Sequence, residues 1–382
     1  MAIIKFKDIW SSKPVYGSGL AAEDEGKYKY LTQSEINSFI ITKYTNDNSK
    51  MLQKNDFLIS RAGTIDVYYH NKDEEIAFAG YLVKYNINKN ICLNKYFYLY
   101  CKSHMQELIS LSSSGSTMPK LNPPDLMDWK IKIPDIETQK SIIDIIESNK
   151  ELFLKYIKYI PLDNLENCKK KCQIIIDIIE PIENISFVLN SLKLKIINII
   201  SKYGDMILNY GKESFNLSKQ KEEKFNNCYY SRTGEIGDFN NEISGYNYFK
   251  EPPSRAKILL TPNNLYISRL EGERKILFTK YKNLKNLIIS SGMRGLYSDK
   301  YKYSQFSVLM SDSFFKFKEI YSTGTTMQGL NDKSLNIFFD KNKFNPNYEI
   351  IIKELFKLMS ASTELLRKIN LVQKKLISLL VN

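Results

Sequence analysis

A chain of 382 residues with a formal net charge of +13 has room for two or three domains, and its positive excess attracts a polyanion, nucleic acid first among them. No uncharged apolar run is long enough to span a membrane, and Met1–Trp10 carries Lys5, Lys7 and Asp8, unlike a signal peptide. The five cysteines, Cys92, Cys101, Cys168, Cys172 and Cys228, are scattered and odd in number; with no histidine near the Cys168–Cys172 pair, they suit a reduced, cytoplasmic protein without a metal site.

Residues 1–136 have the pattern of a mixed α/β domain. Lys27–Leu31 alternates as a strand, and Asp56–Arg61 is a buried strand running into the turn Ala62-Gly63-Thr64. Ala77–Tyr85 is a further strand candidate, Tyr96–Leu111 has helical spacing, and Trp129–Pro134 is a closing strand. Residues 137–204 are amphipathic helix, with isoleucines at three- and four-residue steps interrupted at Pro161 and Pro181. Residues 205–345 are a second mixed domain. Its strand candidates are Cys228–Arg232 and Asn264–Arg269, and Ser290–Leu296 reads as a glycine-flanked basic loop. Residues 346–382 form one long amphipathic helix that needs a partner helix.

The chain contains one stretch twice. Gly115-Ser116-Thr117-Met118-Pro119-Lys120-Leu121-Asn122 returns as Gly324-Thr325-Thr326-Met327-Gln328-Gly329-Leu330-Asn331, an offset of 324 − 115 = 209. Ile59-Ser60-Arg61 returns as Ile267-Ser268-Arg269, an offset of 267 − 59 = 208. Two motifs in one order at nearly one offset indicate a duplicated domain, each copy followed by its own helix. At the helix ends the match runs at 376 − 196 = 180, so the central helical region is longer by 209 − 180 = 29 residues. The hexapeptide Ile-Ile-Asp-Ile-Ile-Glu, at 142–147 and again at 175–180, fits a local helical duplication, and the two prolines suggest that the surplus bulges or pairs locally.

Enzymatic signatures are weak. Gly324 and Gly329 have phosphate-loop spacing, but Leu330-Asn331 replaces the lysine and hydroxyl residue such a loop requires. Asn122-Pro123-Pro124-Asp125 lacks the aromatic residue that an amino-methyltransferase stacks on its target base. His70 and His104 have no nucleophile motif beside them. The alternative of a stand-alone nucleic-acid methyltransferase or nuclease therefore has little residue-level support.

The layout of domain, helix, domain, helix resembles the specificity (S) subunit of type I restriction–modification systems. Asp56–Thr64 is similar to that family's strand and turn, Gly115–Leu121 to its segment before the last strand, and Ile131–Gln139 to its approach to the conserved helix. The second copy departs: Leu270-Glu271-Gly272 displaces its glycine turn, and Asn345-Pro346-Asn347-Tyr348 stands at its helix start. The resemblance implies an α+β protein with two pseudo-repeated recognition domains, 1–136 and 205–345. Between and after them lie a central spacer, 137–204, and a C-terminal helix, 346–382, packed as an antiparallel coiled coil. It also implies a non-catalytic chain that binds double-stranded DNA, docks two methyltransferase (M) subunits and is joined by restriction (R) subunits. S-adenosylmethionine would then belong to the M subunits, and ATP and Mg to the restriction subunit. Candidate DNA contacts are Lys27, Lys29, Tyr30, Arg61, Lys72 and Lys120 in the first domain. In the second they are Arg232, Arg255, Arg269, Arg274, Lys275 and Arg294, arginine for base edges and lysine mostly for phosphates. Arg61 and Arg269 end buried strands and could be structural, whereas Arg232 and Arg294, beside glycines, are expected to be exposed.

Overall fold

The computed structural model describes residues 2–36, 40–112, 119–217, 225–237, 243–262, 264–279, 287–297, 300–323 and 329–381. The glycine-to-methionine half of each repeated segment, 115–118 and 324–327, lies outside them. The α+β chain forms two compact units, one of residues 1–182 with 375–382 and one of residues 183–374.

The strands of the first unit are β1 (Ala2–Lys5), β2 (Val15–Tyr16), β3 (Tyr28–Leu31), β4 (Tyr44–Thr45), β5 (Met51–Leu52), β6 (Phe57–Ser60), β7 (Val67–Tyr69), β8 (Ile76–Phe78), β9 (Leu82–Tyr85) and β10 (Lys130–Ile133). Its helices are α1 (Asn94–Ser103), α2 (Met105–Ser110), α3 (Pro123–Leu126), α4 (Ile136–Ser148), α5 (Lys150–Tyr156) and α6 (Leu165–Ile174). One sheet has the order β2-β9-β6-β7, a second β4-β3-β8-β5, and β1 pairs with β10. Within the second sheet β3 and β8 run parallel. All four residues of β6 are buried because it separates two cores. Phe57 and Ile59 join Val67, Val83 and Tyr85, while Leu58 joins Leu31, Ile76 and Phe78, the alternation a pleated strand imposes.

The second unit has α7 (Glu180–Ile207), which begins just before it, then β11 (Leu208–Glu213), β12 (Asn216–Leu217), β13 (Cys228–Ser231), β14 (Asn247–Phe249), β15 (Ala256–Leu259), β16 (Leu265–Ser268), β17 (Ile276–Phe278), β18 (Leu287–Ser290) and β19 (Met293–Tyr297). The helices α8 (Lys302–Met310), α9 (Asp312–Tyr321), α10 (Asp332–Lys341) and α11 (Glu349–Val381) follow. Its sheet orders, β12-β19-β16-β17 and β14-β13-β18-β15, repeat the first unit's strand for strand, with the parallel pair now β13 and β18. β16 again divides two cores, Leu265 and Ile267 on one side and Tyr266 on the other.

Four local expectations are corrected. Ala77–Tyr85 is two strands, β8 and β9, separated by the turn at Ala79–Tyr81. Ser290–Leu296 is two strands, β18 and β19, which belong to different sheets and are joined by a turn at Ser291-Gly292, so Arg294 lies in a strand rather than a loop. The helical stretch Tyr96–Leu111 is divided at His104. Pro181 does not interrupt its helix. A π-helical turn at Ile175–Ile179 precedes α7, and the Glu180 N–H bonds back to the Ile175 carbonyl. Proline lacks an N–H and its ring crowds the carbonyl one turn back, and the wider π turn relieves both. The duplicated hexapeptide is thus α-helical at 142–147 and π-helical at 175–179, yet both copies bury their first and fourth isoleucines, Ile142 with Ile146 and Ile175 with Ile179. At Pro161 the helix does end, and the surplus segment packs onto the first unit's core through Leu152, Phe153, Tyr156, Ile160 and Leu162. The Tyr96 hydroxyl donates to the Leu162 carbonyl at 2.7 Å.

Within the second unit α7 and α11 run antiparallel. Gln373 donates to Glu183 at 3.2 Å at one end, and the rings of Tyr203 and Tyr348 lie 5.6 Å apart at the other. Ile196 and Ile200 share a core with Ile352, Phe356 and Met359.

Candidate nucleic-acid interface

In each unit the two repeated motifs meet in space. In the first, β6 delivers Ser60 and Arg61 to a turn closed by Gly63, whose φ of +69° favours glycine. The Leu121 N–H donates to the Arg61 carbonyl at 2.8 Å, the Gly63 N–H donates to the Pro119 carbonyl at 3.1 Å, and Ala62 pairs with Lys120. Leu121 is buried, and Asn122 is the N-cap of α3. In the second unit the Leu330 N–H donates to the Arg269 carbonyl at 2.8 Å, Leu270 pairs with Gly329, and Gly272 has φ +72°. Leu330 is buried, and Asn331 caps α10 by accepting from the Ser334 N–H at 2.8 Å. The two junctions explain the offsets. Ser268 − Ser60 is 268 − 60 = 208 and Gly272 − Gly63 is 272 − 63 = 209, so one extra residue lies in the second turn without changing its closing conformation. The displaced glycine is therefore the same turn.

Buried polar groups brace both turns from behind. Ser60 accepts from the Asp66 N–H at 2.8 Å and donates to the Thr64 carbonyl at 2.7 Å, and Asp66 pairs with Lys102 of α1 at 2.6 Å. Gln33 donates to the Ala62 carbonyl. In the second unit Ser268 donates to Glu273, and Lys318 of α9, only 2% exposed, donates to the Ser268 carbonyl at 2.8 Å and the Glu273 carbonyl at 2.6 Å.

The predicted contacts fall into distinct settings. Arg61 lies over the exposed ring of Tyr16 at 5.3 Å, a cation–π placement that leaves its edge donors for a partner. Lys120 is exposed beside it. Lys29 and Lys72 gather on Glu74, at 2.8 and 3.8 Å. The hydrogen bond from Lys29 holds the Glu74 carboxyl below its ordinary range, and Glu74 in turn raises the Lys29 ammonium. Lys27 is exposed over Tyr28. Tyr30 is 1% exposed, and its hydroxyl donates to the Ser18 and Leu20 carbonyls, so it is a core residue and not a surface contact. In the second unit Arg232 and Arg255 are exposed, and Arg274 is exposed over the Phe315 ring at 4.4 Å. Lys275 is mostly buried, donating to the Thr233 carbonyl at 2.9 Å. Arg269 and Arg294 converge on Asp332 at 2.6 and 3.0 Å. Arg294 is 9% exposed, against the exposure its glycine neighbours suggested, because the pleat of β19 turns it inward.

Tyr16, Lys102, Lys318 and Asp332 were not singled out from the sequence. Asp332 could have been, since it follows Leu-Asn in the repeated stretch. The two lysines lie on apolar helices among many lysines and carry no local signal. Among the described residues no three or more His, Cys, Asp or Glu side chains converge as metal ligands, and no helix is long and apolar enough to cross a membrane. The arrangement displays guanidinium and ammonium groups at strand ends on braced turns, which suits grooved, anionic partners more than bond-making chemistry.

Residues 4–153 match the family model of the type I restriction modification DNA specificity domain. No curated protein matches the sequence. Among solved structures the chain is similar in fold to one described as the structural basis underlying complex assembly and conformational transition of the type I R-M system, at 9% identity and a TM-score of 0.53, covering 100% of this chain and 97% of that one. A type I restriction-modification S subunit from M. genitalium aligns at 13% identity and a TM-score of 0.38, over 99% of this chain and 95% of its own. An HsdS subunit from Thermoanaerobacter tengcongensis aligns at 11% identity and a TM-score of 0.40, over 100% and 94%.

Proposed function

We propose that this chain, a member of the type I restriction–modification DNA specificity family, is the non-catalytic subunit that reads a bipartite DNA site. One recognition domain, residues 1–136, takes one half-site and the other, residues 205–345, takes the second. The single observation carrying this reading is the strand-for-strand equivalence of the two units, each ending β6 or β16 in a Ser-Arg turn clamped by a Leu-Asn segment. A duplicated basic scaffold suits two patches of bases, Arg61 serving the first unit and the exposed Arg232, Arg255 and Arg274 the second, since base contacts specify and phosphate contacts position.

The helices α7 and α11 set the distance between half-sites, at a rise of about 1.5 Å per residue. They carry exposed Phe187, Val188, Leu192, Leu358, Leu365 and Leu371, apolar side chains that methyltransferase subunits would cover. Two such subunits dock there and supply S-adenosylmethionine, and restriction subunits bring ATP and Mg. The assembly works in the cytoplasm, where the five buried cysteines stay free thiols.

Methylome sequencing of the source cell with and without this gene tests the proposal. One bipartite methylated motif disappears on deletion and returns with the gene; a methylome unchanged in a strain that expresses the chain and its partners would overturn it. Exchanging residues 205–345 for those of another specificity subunit changes one half of the motif and leaves the other.

A further inference from the structure

The first unit departs from the internal symmetry by its surplus segment after α4, and that segment forms one wall of a basic groove. The groove encloses about 1130 Å³ between the α1–α2 junction, β10 and the stretch from α5 to α6. Six lysines line it, Lys102, Lys130, Lys132, Lys155, Lys158 and Lys171, against two carboxylates, Glu107 and Asp163. The chain as a whole has 55 basic to 42 acidic residues, so even with Asp66, the partner of Lys102, counted in, six lysines to three carboxylates is a local concentration. Glu107 is moreover engaged by the Trp129 indole N–H at 3.2 Å.

The placement follows from the elements. β10 buries Ile131 and Ile133, so its period of two turns Lys130 and Lys132 to solvent on one face. Lys155 and Lys158, three apart on a helical segment whose other side buries Phe153, Tyr156 and Ile157, share one exposed face. A neighbouring cavity of about 260 Å³ shares Lys102 and Leu154 with the groove and adds Lys72 and Lys150. The lysines therefore form a track from Lys72, a candidate DNA contact, toward α6.

We infer that this track binds the sugar–phosphate backbone of duplex DNA flanking the half-site read by the first domain. Lysine is a compact point charge on a flexible stem, suited to phosphates rather than to base edges. A lysine track without arginine therefore adds affinity but no sequence preference. The inference rests on the DNA-specificity reading and assigns to the surplus segment a role in holding DNA outside the recognition turns.

The test uses the full chain assembled with its methyltransferase partners and compares it with a K130Q/K132Q/K155Q/K158Q variant, all four side chains being exposed. Fluorescence anisotropy is measured across salt concentrations on duplexes with long and with trimmed flanks. The variant binds the long-flank duplex at least tenfold more weakly, its log–log salt slope is shallower by about two to four at roughly 0.9 per phosphate contact, and its cognate-to-non-cognate ratio is unchanged. An unchanged slope and affinity would overturn the inference, as would a loss confined to the cognate sequence. Lysine acetylation footprinting of the unaltered complex gives a second readout: duplex DNA protects the four lysines. Protection by ATP or inorganic phosphate but not by duplex would mark a small-phosphate site and overturn it. A complex with no preference for any target refutes the specificity reading instead, a separate outcome.

Discussion

The two Ser-Arg turns share a closing glycine and a clamping leucine but have two electrostatic designs. In the first unit Arg61 rests on Tyr16, and the position corresponding to Asp332 is Pro123, 332 − 209 = 123. In the second, Asp332 draws in both Arg269 and Arg294. Register makes the second difference explicit: Ile59 faces Val83 across the sheet, whereas Ile267 faces Arg294. An apolar residue in one copy is thus an arginine in the other, and a carboxylate has been added with it. Duplication preserved the bond from the leucine N–H to the arginine carbonyl and the glycine that closes the turn, while the side chains that decide whether an arginine is free or tied diverged. Arg61 is placed to meet a partner, and Arg269 is placed to hold its own domain together.

The largest effect that would break this comparison lies behind the second turn. Lys318 is buried and donates to two carbonyls, whereas the equivalent brace in the first unit is the more exposed Lys102–Asp66 pair. K318M leaves both carbonyls without a donor in a dry site and costs about 3 kcal/mol, at 1–3 kcal/mol for each unsatisfied buried group. Hydrogen exchange checks the location: β16 and the 269–275 turn lose protection while β6 keeps its own. Equal loss in both units would show that the brace is not local.

Asp332 comes next. D332N removes the shared carboxylate and leaves Arg294 a mostly buried charge, an expected loss of about 2 kcal/mol, discounted from the buried-pair range because Asp332 itself is about half exposed. R294V with D332N restores the apolar register of the first unit and recovers at least half of that loss in chemical denaturation. If the double variant is less stable than D332N alone, Arg294 is anchored by other groups and the comparison fails at that position.

The arginines themselves separate binding from stability. R61A weakens target DNA binding about tenfold or more, as for loss of one base-edge or phosphate contact, with Tm unchanged. R269A lowers Tm of the second unit, because it removes one of the two guanidinium groups on Asp332. Anisotropy and thermal unfolding on the same preparations distinguish the two, and a Tm drop for R61A equal to that for R269A would erase the contrast.

Legibility in the sequence followed the same division. Backbone roles could be read: Ser-Arg at a strand end, a glycine closing the turn and Leu-Asn before a helix are short, local requirements, and the 208 and 209 offsets even contain the one-residue insertion that Gly272 absorbs. Side-chain fate could not be read. Tyr30 belongs to an alternating Lys-Tyr strand whose period says which residues share a face, not which face is inside; its hydroxyl is consumed by two carbonyls of a loop ten or more residues away. Arg294 between two glycines looked like a loop because glycine punctuates loops, yet here Gly292 makes the turn that carries the chain from one sheet to the other and Gly295 continues the strand. Pro181 looked like a break because an α-helix cannot accept it, and a π turn can.

The smallest effect concerns pH and the short 3-10 turns that follow β3 and β13. Glu35 ends the first of these, 8% exposed, and accepts from the Thr42 N–H at 2.6 Å, the Thr42 hydroxyl at 2.8 Å, and the Thr32 N–H and hydroxyl at 3.3 and 2.8 Å. Burial pushes its carboxyl upward, but these four donors together hold it below the ordinary range. Glu235 occupies the same place after β13, accepting from the Arg232 N–H at 2.7 Å and the Ser231 hydroxyl at 3.2 Å. A folded-state pKa depressed below the unfolded value of about 4.3 contributes stability that is fully present above that value and is lost as pH falls through the folded pKa. E35Q is therefore less stable than the parent chain at pH 7, and the gap narrows as the pH is taken below about 4, where the parent's carboxylate takes up its proton. Denaturation at the two pH values checks the sign. A gap that widens on acidification would mean that Glu35 enters the folded state as an acid, and that its four donors serve the neutral group.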